Sequence, residues 1–263
     1  MNPPFDLQRA LKLADASAQA YAPPPGATLI SNKATDTHAL ALADGGDLIV
    51  AFRGTADLRN WLTDLECAKS EFKIHGLKLK VHAGFLRAWL SIRDEVSALV
   101  SSRAPGPASL FLTGHSLGGA LAMLAAMDLQ GVAACYTFGQ PRVGAPAFAN
   151  AYNAFLRART FRVVNSDDLV PRLPWLLASY RHAGNEIFFP APACAARLGL
   201  GEAGPLINPS LWRKLPADAL ALARALATRH PTLLEDHHVR SYINLLSRAP
   251  ADSPLASTLN FKH

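Results

Sequence analysis

The order of hydrophobic and polar positions along the 263-residue chain predicts strands that alternate with helices. An initial helix over residues 5–21 ends at the prolines that begin at Pro23, because proline cannot continue a helix. The predicted strands are 27–30, 38–43, 48–52, 110–113, 132–138, 161–165 and 186–189, and the later predicted helices are 84–100, 116–129, 145–157 and 238–247. Strands separated by helices are typical of a mostly parallel sheet with helices on both faces, so the predicted fold class is α/β.

Residues 190–235 do not follow this alternation. Prolines interrupt the first half of the segment, and residues 217–227, rich in alanine and leucine, are predicted to be helical. The segment either packs over the sheet as a peripheral segment or covers a binding cleft. No internal repeat or linker divides the chain, so we expect a single domain over residues 1–263.

Composition and charge narrow the function classes. Hydrophobic residues make up 50% of the chain and charged residues 17%, a balance that excludes a disordered chain. The net charge of +6 invites a nucleic-acid or anionic-membrane partner, but no run of Lys or Arg is longer than two. We therefore expect a solvated surface charge and no nucleic-acid partner, and an anionic lipid–water interface is the one surface worth testing. Cys67, Cys135 and Cys194 are an odd count at wide spacing, which is neither a metal knuckle nor a disulfide framework and leaves a single disulfide bond open. We expect no metal or cofactor.

The N-terminal residues lack a basic segment followed by an apolar one, so no signal peptide is predicted. No stretch approaches the about 18 consecutive apolar residues of a membrane-spanning helix, so none is predicted. The default expectation is a cytoplasmic protein, or a secreted one if the sequence is a trimmed mature form.

The segment Gly114–Gly119 carries the strongest chemical signal. It has the pattern G-x-S-x-G between a predicted strand and a predicted helix. A serine on such a sharp turn needs small neighbours, and Gly114 and Gly118 stand where a Cβ would clash. The following helix directs the partial positive charge of its N-terminus at the serine. The pattern predicts that Ser116 is a nucleophile, and the alternative is that Ser116 only caps the helix.

A nucleophilic serine needs a base and a carboxylate that orients the base. Where this motif opens a helix, the acid follows the serine in the chain and the histidine comes last. Asp167 and Asp168 follow the predicted strand 161–165, and His237 and His238 stand together near the C-terminus. Spacing leaves both choices open.

An oxyanion hole needs two hydrogen-bond donors near the nucleophile. One is normally the backbone N–H of the next residue, which is Leu117. The other should come from an early loop after a strand, and Gly54–Thr55 follows the predicted strand 48–52. We expect the N–H of Thr55 to be the second donor, with Gly54 permitting a tight turn.

Taken together, these stretches resemble the class 3 lipases, the filamentous-fungal lipase family of α/β-hydrolases. The matching blocks run in family order over most of the chain. They are residues 51–55 with 60–65, 81–85, 114–119, 138–144, 164–171 and 236–242.

The resemblance implies an α/β-hydrolase fold and a catalytic triad. It places the acid on Asp168, the third residue after Asn165, and not on Asp167. It places the base on His237, which precedes a tyrosine by five positions as in many bacterial members of the family.

The resemblance also implies a short helical lid after the oxyanion loop, over residues 57–66. Leu58, Trp61 and Leu62 are at helical spacing and would form its apolar face. The alternative is an ordinary surface helix packed on the core.

The implied function is hydrolysis of carboxylic esters, above all triacylglycerols, through an acyl-enzyme and without a cofactor. The alternative on the same scaffold is an esterase for short-chain, phenolic (feruloyl-type) or phospholipid esters. A lipase-like binding module without turnover is a further alternative, which the presence of all three triad residues disfavours.

Overall fold

The computed structural model describes residues 5–55, 68–102, 109–165, 168, 170–174, 180–189 and 237–249. The expected lid over 57–66, with Leu58, Trp61 and Leu62, lies outside the described residues. The segment 190–235 and Asp167 also lie outside them.

Helices and strands alternate along most of the described chain. The strands are β1 (Thr28–Asn32), β2 (Thr37–Asp44), β3 (Asp47–Phe52), β4 (Lys69–Ile74), β5 (Leu77–His82), β6 (Leu110–His115), β7 (Val132–Phe138), β8 (Thr160–Asn165) and β9 (Asn185–Phe189). The α-helices are α1 (Leu7–Gln19), α2 (Ala83–Ser102), α3 (Leu117–Asp128), α4 (Pro146–Leu156) and α5 (Val239–Arg248). None of these helices is long and apolar enough to cross a membrane.

Seven strands form one sheet in the order β1-β2-β3-β6-β7-β8-β9. In this sheet the pairs β1–β2 and β2–β3 are antiparallel. The pairs β3–β6, β6–β7, β7–β8 and β8–β9 are parallel. Parallel strands all end at the same edge of a sheet, which is where ligand-binding groups collect in α/β folds. The loops after β3, β6, β7 and β8 therefore meet at one edge.

The sheet separates two hydrophobic cores. Because side chains alternate along a strand, Val50 and Leu112 face one core while Ile49 and Phe111 face the other. Helices α2, α3 and α4 contribute to the first core, and α1 and α5 contribute to the second. The predicted α/β class, a mostly parallel sheet with helices on both faces, is confirmed.

Helix α3 is buried on all sides. Each residue from Gly118 to Met127 is buried, as expected for a helix that is apolar all round. The glycines and alanines of this helix let its backbone approach β6 closely. The helix predicted from Ser116 begins one residue later, at Leu117, because Ser116 has a φ of 58° that no α-helix contains.

The hairpin β4–β5 is an element that the sequence prediction missed. Its apolar side chains Phe72, Leu79 and Val81 are buried in the first core. The two turn residues, His75 and Gly76, both have positive φ, which is the geometry of a two-residue hairpin turn. The alternation of apolar and polar residues around a glycine was the available signal.

Candidate active site

The turn between β6 and α3 presents Ser116 in a strained backbone conformation, with φ 58° and ψ −128°. A Cβ at Gly114 would overlap the backbone of Gly118, and a Cβ at Gly118 would overlap the carbonyl oxygen of Phe52. Only glycine therefore fits at either position. The N–H of Ser116 donates to the carbonyl oxygen of Phe138 at 2.9 Å, which ties the turn to the neighbouring strand β7.

The loop after β3 lies directly against this turn. A Cβ at Gly54 would lie 3.2 Å from the Cβ of Ser116 and 2.8 Å from the carbonyl oxygen of His115. Gly54 is not among the residues with positive φ, so glycine is needed there for close approach and not for a tight turn. Leu117 directly follows Ser116, and Thr55 directly follows Gly54, the residue of this loop that approaches the serine.

A buried carboxylate and a buried imidazole are paired nearby. Asp168 is 1% exposed and His237 is 2% exposed. The Nδ1–H of His237 donates to Oδ2 of Asp168 at 2.6 Å, and the hydroxyl of Tyr242 donates to the same oxygen at 2.5 Å. The N–H of Val170 donates to Oδ1 at 2.8 Å. Asp168 is thus an acceptor for three donors, and it fixes which ring nitrogen of His237 carries the proton.

Spacing left two choices open, and the structure bears on the choice between His237 and His238, whereas Asp167 lies outside the described residues. His238 is exposed and begins α5, where its side chain caps no backbone group. His237 points into the interior and pairs with Asp168. The structure therefore brings Asp168 and His237 together and leaves His238 outside the site.

Gly139 joins the pair to the serine turn. Its φ is 60°, and a Cβ there would lie 2.8 Å from Oδ2 of Asp168 and 2.9 Å from Cε1 of His237. It follows Phe138, whose carbonyl accepts the hydrogen bond from Ser116. The end of β7 therefore contacts all three candidate catalytic residues.

Among the buried polar atoms with no hydrogen-bond partner in the part of the chain that the structure describes, two belong to candidate catalytic residues. They are Oγ of Ser116 and Nε2 of His237. A buried polar atom without a partner costs about 1–3 kcal/mol, so such atoms are rare unless they serve a function. These are the atoms that a Ser–His–Asp triad would join, and catalytic hydrogen bonds often tighten only when substrate is bound.

Sequence reasoning did not assign a role to four residues that the structure places around these groups. They are Tyr21, His115, Gly139 and Tyr242. His115 and Gly139 lie in blocks that carried the family resemblance, and Tyr242 follows His237 by five positions. Those positions were visible as a pattern, but their contacts were not.

Metal binding has no support in the ranges that the structure describes. No group of three or more His, Cys, Asp or Glu side chains is arranged there to hold a metal ion. Cys135 is buried and free, and burial raises the pKa of its thiol to about 12.

The proteins that this chain resembles in sequence and structure are lipases. The family model described as lipase (class 3) matches residues 49–177. A lipase from Rhizomucor miehei is 38% identical over 164 residues, which are 57% of this chain and 44% of that protein. The secreted mono- and diacylglycerol lipase 1 of Fusarium solani is 38% identical over 145 residues, or 53% of this chain and 43% of that protein. The chain thus spans less than half the length of these curated relatives.

The match to one solved structure covers a larger part of this chain than the matches to these two relatives. The structure is that of a triacylglycerol lipase whose catalytic centre is formed by a serine protease triad. This structure is 31% identical in sequence, has a TM-score of 0.61, and covers 69% of this chain and 79% of its own. With this coverage and the matching family model, the chain belongs to the class 3 lipase family.

Proposed function

We propose that the protein hydrolyses carboxylic esters, with triacylglycerols and other acylglycerols as its principal substrates. One observation carries the proposal: a buried Asp168–His237 hydrogen bond lies beside a serine on a strained turn. Oγ of Ser116 and Nε2 of His237 are buried and have no hydrogen-bond partner among the described residues. The relatives support the same chemistry, because they are named as lipases and one is described as having a serine protease triad.

The proposed reaction has two halves. Oγ of Ser116 attacks the acyl carbon of the ester while Nε2 of His237 takes the hydroxyl proton. The carbon–oxygen bond to the alcohol then breaks, and His237 returns the proton to the leaving alkoxide. Water, deprotonated in the same way, attacks the acyl-enzyme and releases the carboxylic acid. The net change is ester plus water to acid plus alcohol.

Asp168 and the backbone amides stabilise the charges that form during this reaction. The Asp168 carboxylate holds His237 in the Nδ1–H tautomer, which leaves Nε2 free to accept the proton. It also lies next to the positive charge that the imidazole acquires. The N–H groups of Thr55 and Leu117 would bind the developing oxyanion, each for about 2.7–4 kcal/mol of barrier.

Replacing the nucleophile tests the proposal. We expect Ser116→Ala to remain folded and to lose roughly 10⁴–10⁶-fold in kcat on p-nitrophenyl and glyceride esters. Circular dichroism and the melting temperature establish folding. Ser101→Ala is the control, because Ser101 is an exposed serine on α2 and should leave activity unchanged. Near-normal hydrolysis by Ser116→Ala would reject the assignment.

The acyl-chain preference of the enzyme tests the proposal that acylglycerols are its principal substrates. A series of p-nitrophenyl and triglyceride esters from short to long chains, compared at matched concentrations, separates a lipase from an esterase. We expect activity on emulsified long-chain triglycerides. Hydrolysis restricted to soluble short-chain, phenolic or phospholipid esters would replace the acylglycerol assignment and retain the triad.

We propose that the protein works at a lipid–water interface, and a cationic surface on the hairpin β4–β5 supports this. Lys73 pairs with Lys78 across the strands, and Glu71 pairs with Lys80. These positions share the face opposite to the buried Phe72. With Lys69 on the same face, four lysines and one glutamate contribute +3, or half of the net charge of +6. A cationic face of this kind complements an interface that gains fatty-acid carboxylates as hydrolysis proceeds.

Vesicle binding tests the interface proposal. Each lysine near an anionic surface contributes about 1 kcal/mol, so the double variant Lys73→Ser/Lys78→Ser should bind roughly 30-fold more weakly. The vesicles contain phosphatidylcholine with or without phosphatidylglycerol, and sedimentation is measured at low and high salt. Lys33→Ser removes an exposed lysine elsewhere and is the control. Equal binding by both variants would reject the hairpin as the contact surface.

We also propose that the protein is secreted. The Fusarium solani relative is a secreted mono- and diacylglycerol lipase, which supports this proposal. Antibody detection in the culture medium and in washed cells of the source organism tests this. Recovery from washed cells alone would contradict it.

A further inference from the structure

Tyr21 and His115 lie behind the candidate catalytic groups, and the mechanism above gives them no role. His115 is 5% exposed and precedes Ser116 in the chain. The hydroxyl of Tyr21, two residues beyond the end of α1, lies 3.0 Å from Nδ1 of His115. Nε2 of His115 contacts the backbone carbonyl oxygen of His237 within hydrogen-bonding distance.

The direction of each hydrogen bond follows from the chemistry of its partners. A carbonyl oxygen only accepts, so Nε2 of His115 carries the proton that is donated to His237. Burial, and then the nearby His237, lower the pKa of His115 well below its ordinary value, so the ring is neutral. A neutral ring that is protonated on Nε2 accepts on Nδ1. The hydroxyl of Tyr21 must therefore be the donor to His115.

The other end of this chain lies on the oxyanion loop. Burial raises the pKa of Tyr21 to about 12, and hydrogen bonding to the Gly54 backbone opposes that rise. The backbone of Gly54 lies directly against the Tyr21 hydroxyl. A Cβ at Gly54 would overlap that hydroxyl. The Tyr21 hydroxyl therefore contacts Gly54 on one side and hydrogen-bonds His115 on the other, and His115 in turn hydrogen-bonds the backbone of His237.

We propose that Tyr21 and His115 are positioning residues that hold the base and the oxyanion loop in fixed places around Ser116. The inference rests on the proposed hydrolase function. In this role His115, the second residue of the G-x-S-x-G segment, holds the backbone of His237. The hydroxyl of Tyr21 holds the loop that carries Thr55. The rings of His115 and His237 have centroids 4.5 Å apart, so a neutral His115 also avoids repelling the cation that forms on His237.

Two substitutions of His115 separate its two hydrogen bonds. The amide of glutamine reaches the place of Nε2, whereas that of asparagine reaches only the place of Nδ1. We expect His115→Gln to keep kcat within about 3-fold and His115→Asn to lower kcat about 10-fold, both at unchanged KM. Melting temperatures within a few degrees of each other exclude a folding effect. Equal loss in both variants, or a loss in KM instead of kcat, would overturn the proposal.

Tyr21→Phe tests whether the tyrosine acts through the histidine. The phenyl ring keeps the packing and removes only the hydroxyl. We expect about a 3-fold loss of kcat in the wild-type background and no further loss in the His115→Gln background, which lacks the Nδ1 acceptor. Losses that simply multiply in the double variant would show independent roles and contradict the proposal.

A measurement without turnover distinguishes this inference from the proposed function. The ¹⁵N resonances of histidine in the resting protein at pH 7 should show a neutral Nε2–H tautomer that disappears in His115→Gln. An active protein with an Nδ1–H or charged His115 would overturn the inference and leave the hydrolase assignment standing. An inactive protein with the expected tautomer would instead overturn the hydrolase assignment and, with it, the positioning role.

Discussion

Ser116 and His237 are both buried in the candidate site, yet the chain holds them in different ways. Ser116 is constrained by its nearest neighbours, since Gly114 and Gly118 each stand two residues away and permit its strained backbone. His237 is held by Asp168, 69 residues distant in sequence, and by His115, 122 residues distant. Local sequence thus sets the position of the nucleophile, whereas long-range hydrogen bonds set the position of the base.

The largest expected effect comes from the adjacent histidines at the start of α5. His237→Ala removes the base and should lower kcat by about 10⁴-fold or more without unfolding the protein. His238→Ala removes an exposed ring that has no side-chain role in capping the helix. Its kcat should stay within about 2-fold of the wild-type value.

Steady-state rates on one soluble ester, measured beside the melting temperature, decide between the two histidines. If His238→Ala were the inactive variant, the base would not be the residue that the Asp168 hydrogen bond selects. The conclusion that long-range hydrogen bonds position the base would then be rejected.

Gly118→Ala should have the largest effect on folding, because it tests the local constraint. The new Cβ would overlap the carbonyl oxygen of Phe52, which is backbone and cannot turn aside. We expect the free energy of unfolding to fall by at least about 3 kcal/mol, measured by urea denaturation.

Gly131→Ala is the matched control for that substitution. Gly131 has a φ of 74° but nothing within 4 Å of a new Cβ. Gly131→Ala should lower the free energy of unfolding only by the backbone strain, which is about 1–2 kcal/mol. Equal costs at the two positions would mean that close approach at Gly118 does not constrain the serine turn.

Tyr242→Phe tests the remote constraint on the acid and the base. The Tyr242 hydroxyl donates to Oδ2 of Asp168 at 2.5 Å, and hydrogen bonds to charged groups contribute about 1.5–3 kcal/mol. Without it, the carboxylate has one donor fewer and a wider range of positions. We expect kcat to fall about 10- to 100-fold on a soluble ester while KM changes little.

Tyr152→Phe removes a comparable buried hydroxyl far from the site. The Tyr152 hydroxyl bonds Oγ1 of Thr160 at 2.9 Å in the core on the α4 side of the sheet. This variant should lose stability by about 1 kcal/mol and keep its kcat. A fall in kcat as large as that of Tyr242→Phe would show that general loosening, and not the Asp168 contact, explains the rate.

The same contrast decides what the sequence could predict. The strand, turn and helix around Ser116 were predictable because each signal lies within a few residues of the serine. The α/β class was predictable because apolar runs of strand length alternate with helical stretches. The hairpin β4–β5 was missed because lysines at every other position made an amphipathic strand look polar, although His75 and Gly76 marked its turn.

The remaining parts of the site depend on contacts that no local pattern encodes. Spacing could not distinguish His237 from His238. What distinguishes them is the hydrogen bond of His237 to Asp168 and the close approach of both side chains to Gly139. The link between Tyr21 and His115 spans 94 residues and becomes visible only when α1 packs against the sheet. Family resemblance pointed to such positions without supplying the contacts that explain them.

The smallest expected effect concerns His182, which supports the loop carrying Asp168. Nε2 of His182 lies 2.6 Å from the carbonyl oxygen of Pro171. Burial, and then the charges of Arg162 and Arg142, hold the pKa of His182 well below its ordinary value.

Above pH of about 6.5, His182 is neutral in both the folded and the unfolded chain and contributes no pH dependence. As the pH falls below that value, the unfolded chain binds a proton that the folded chain does not, so the free energy of unfolding decreases. One such group lowers it by about 1 kcal/mol between pH 6.5 and 5.5. His182→Gln removes this titration while keeping a donor, so its urea-derived stability should fall less steeply over the same interval, whatever its absolute value. Parallel curves for the two proteins would show that His182 is protonated in the fold, and that the loop of Asp168 tolerates a third cation beside Arg142 and Arg162.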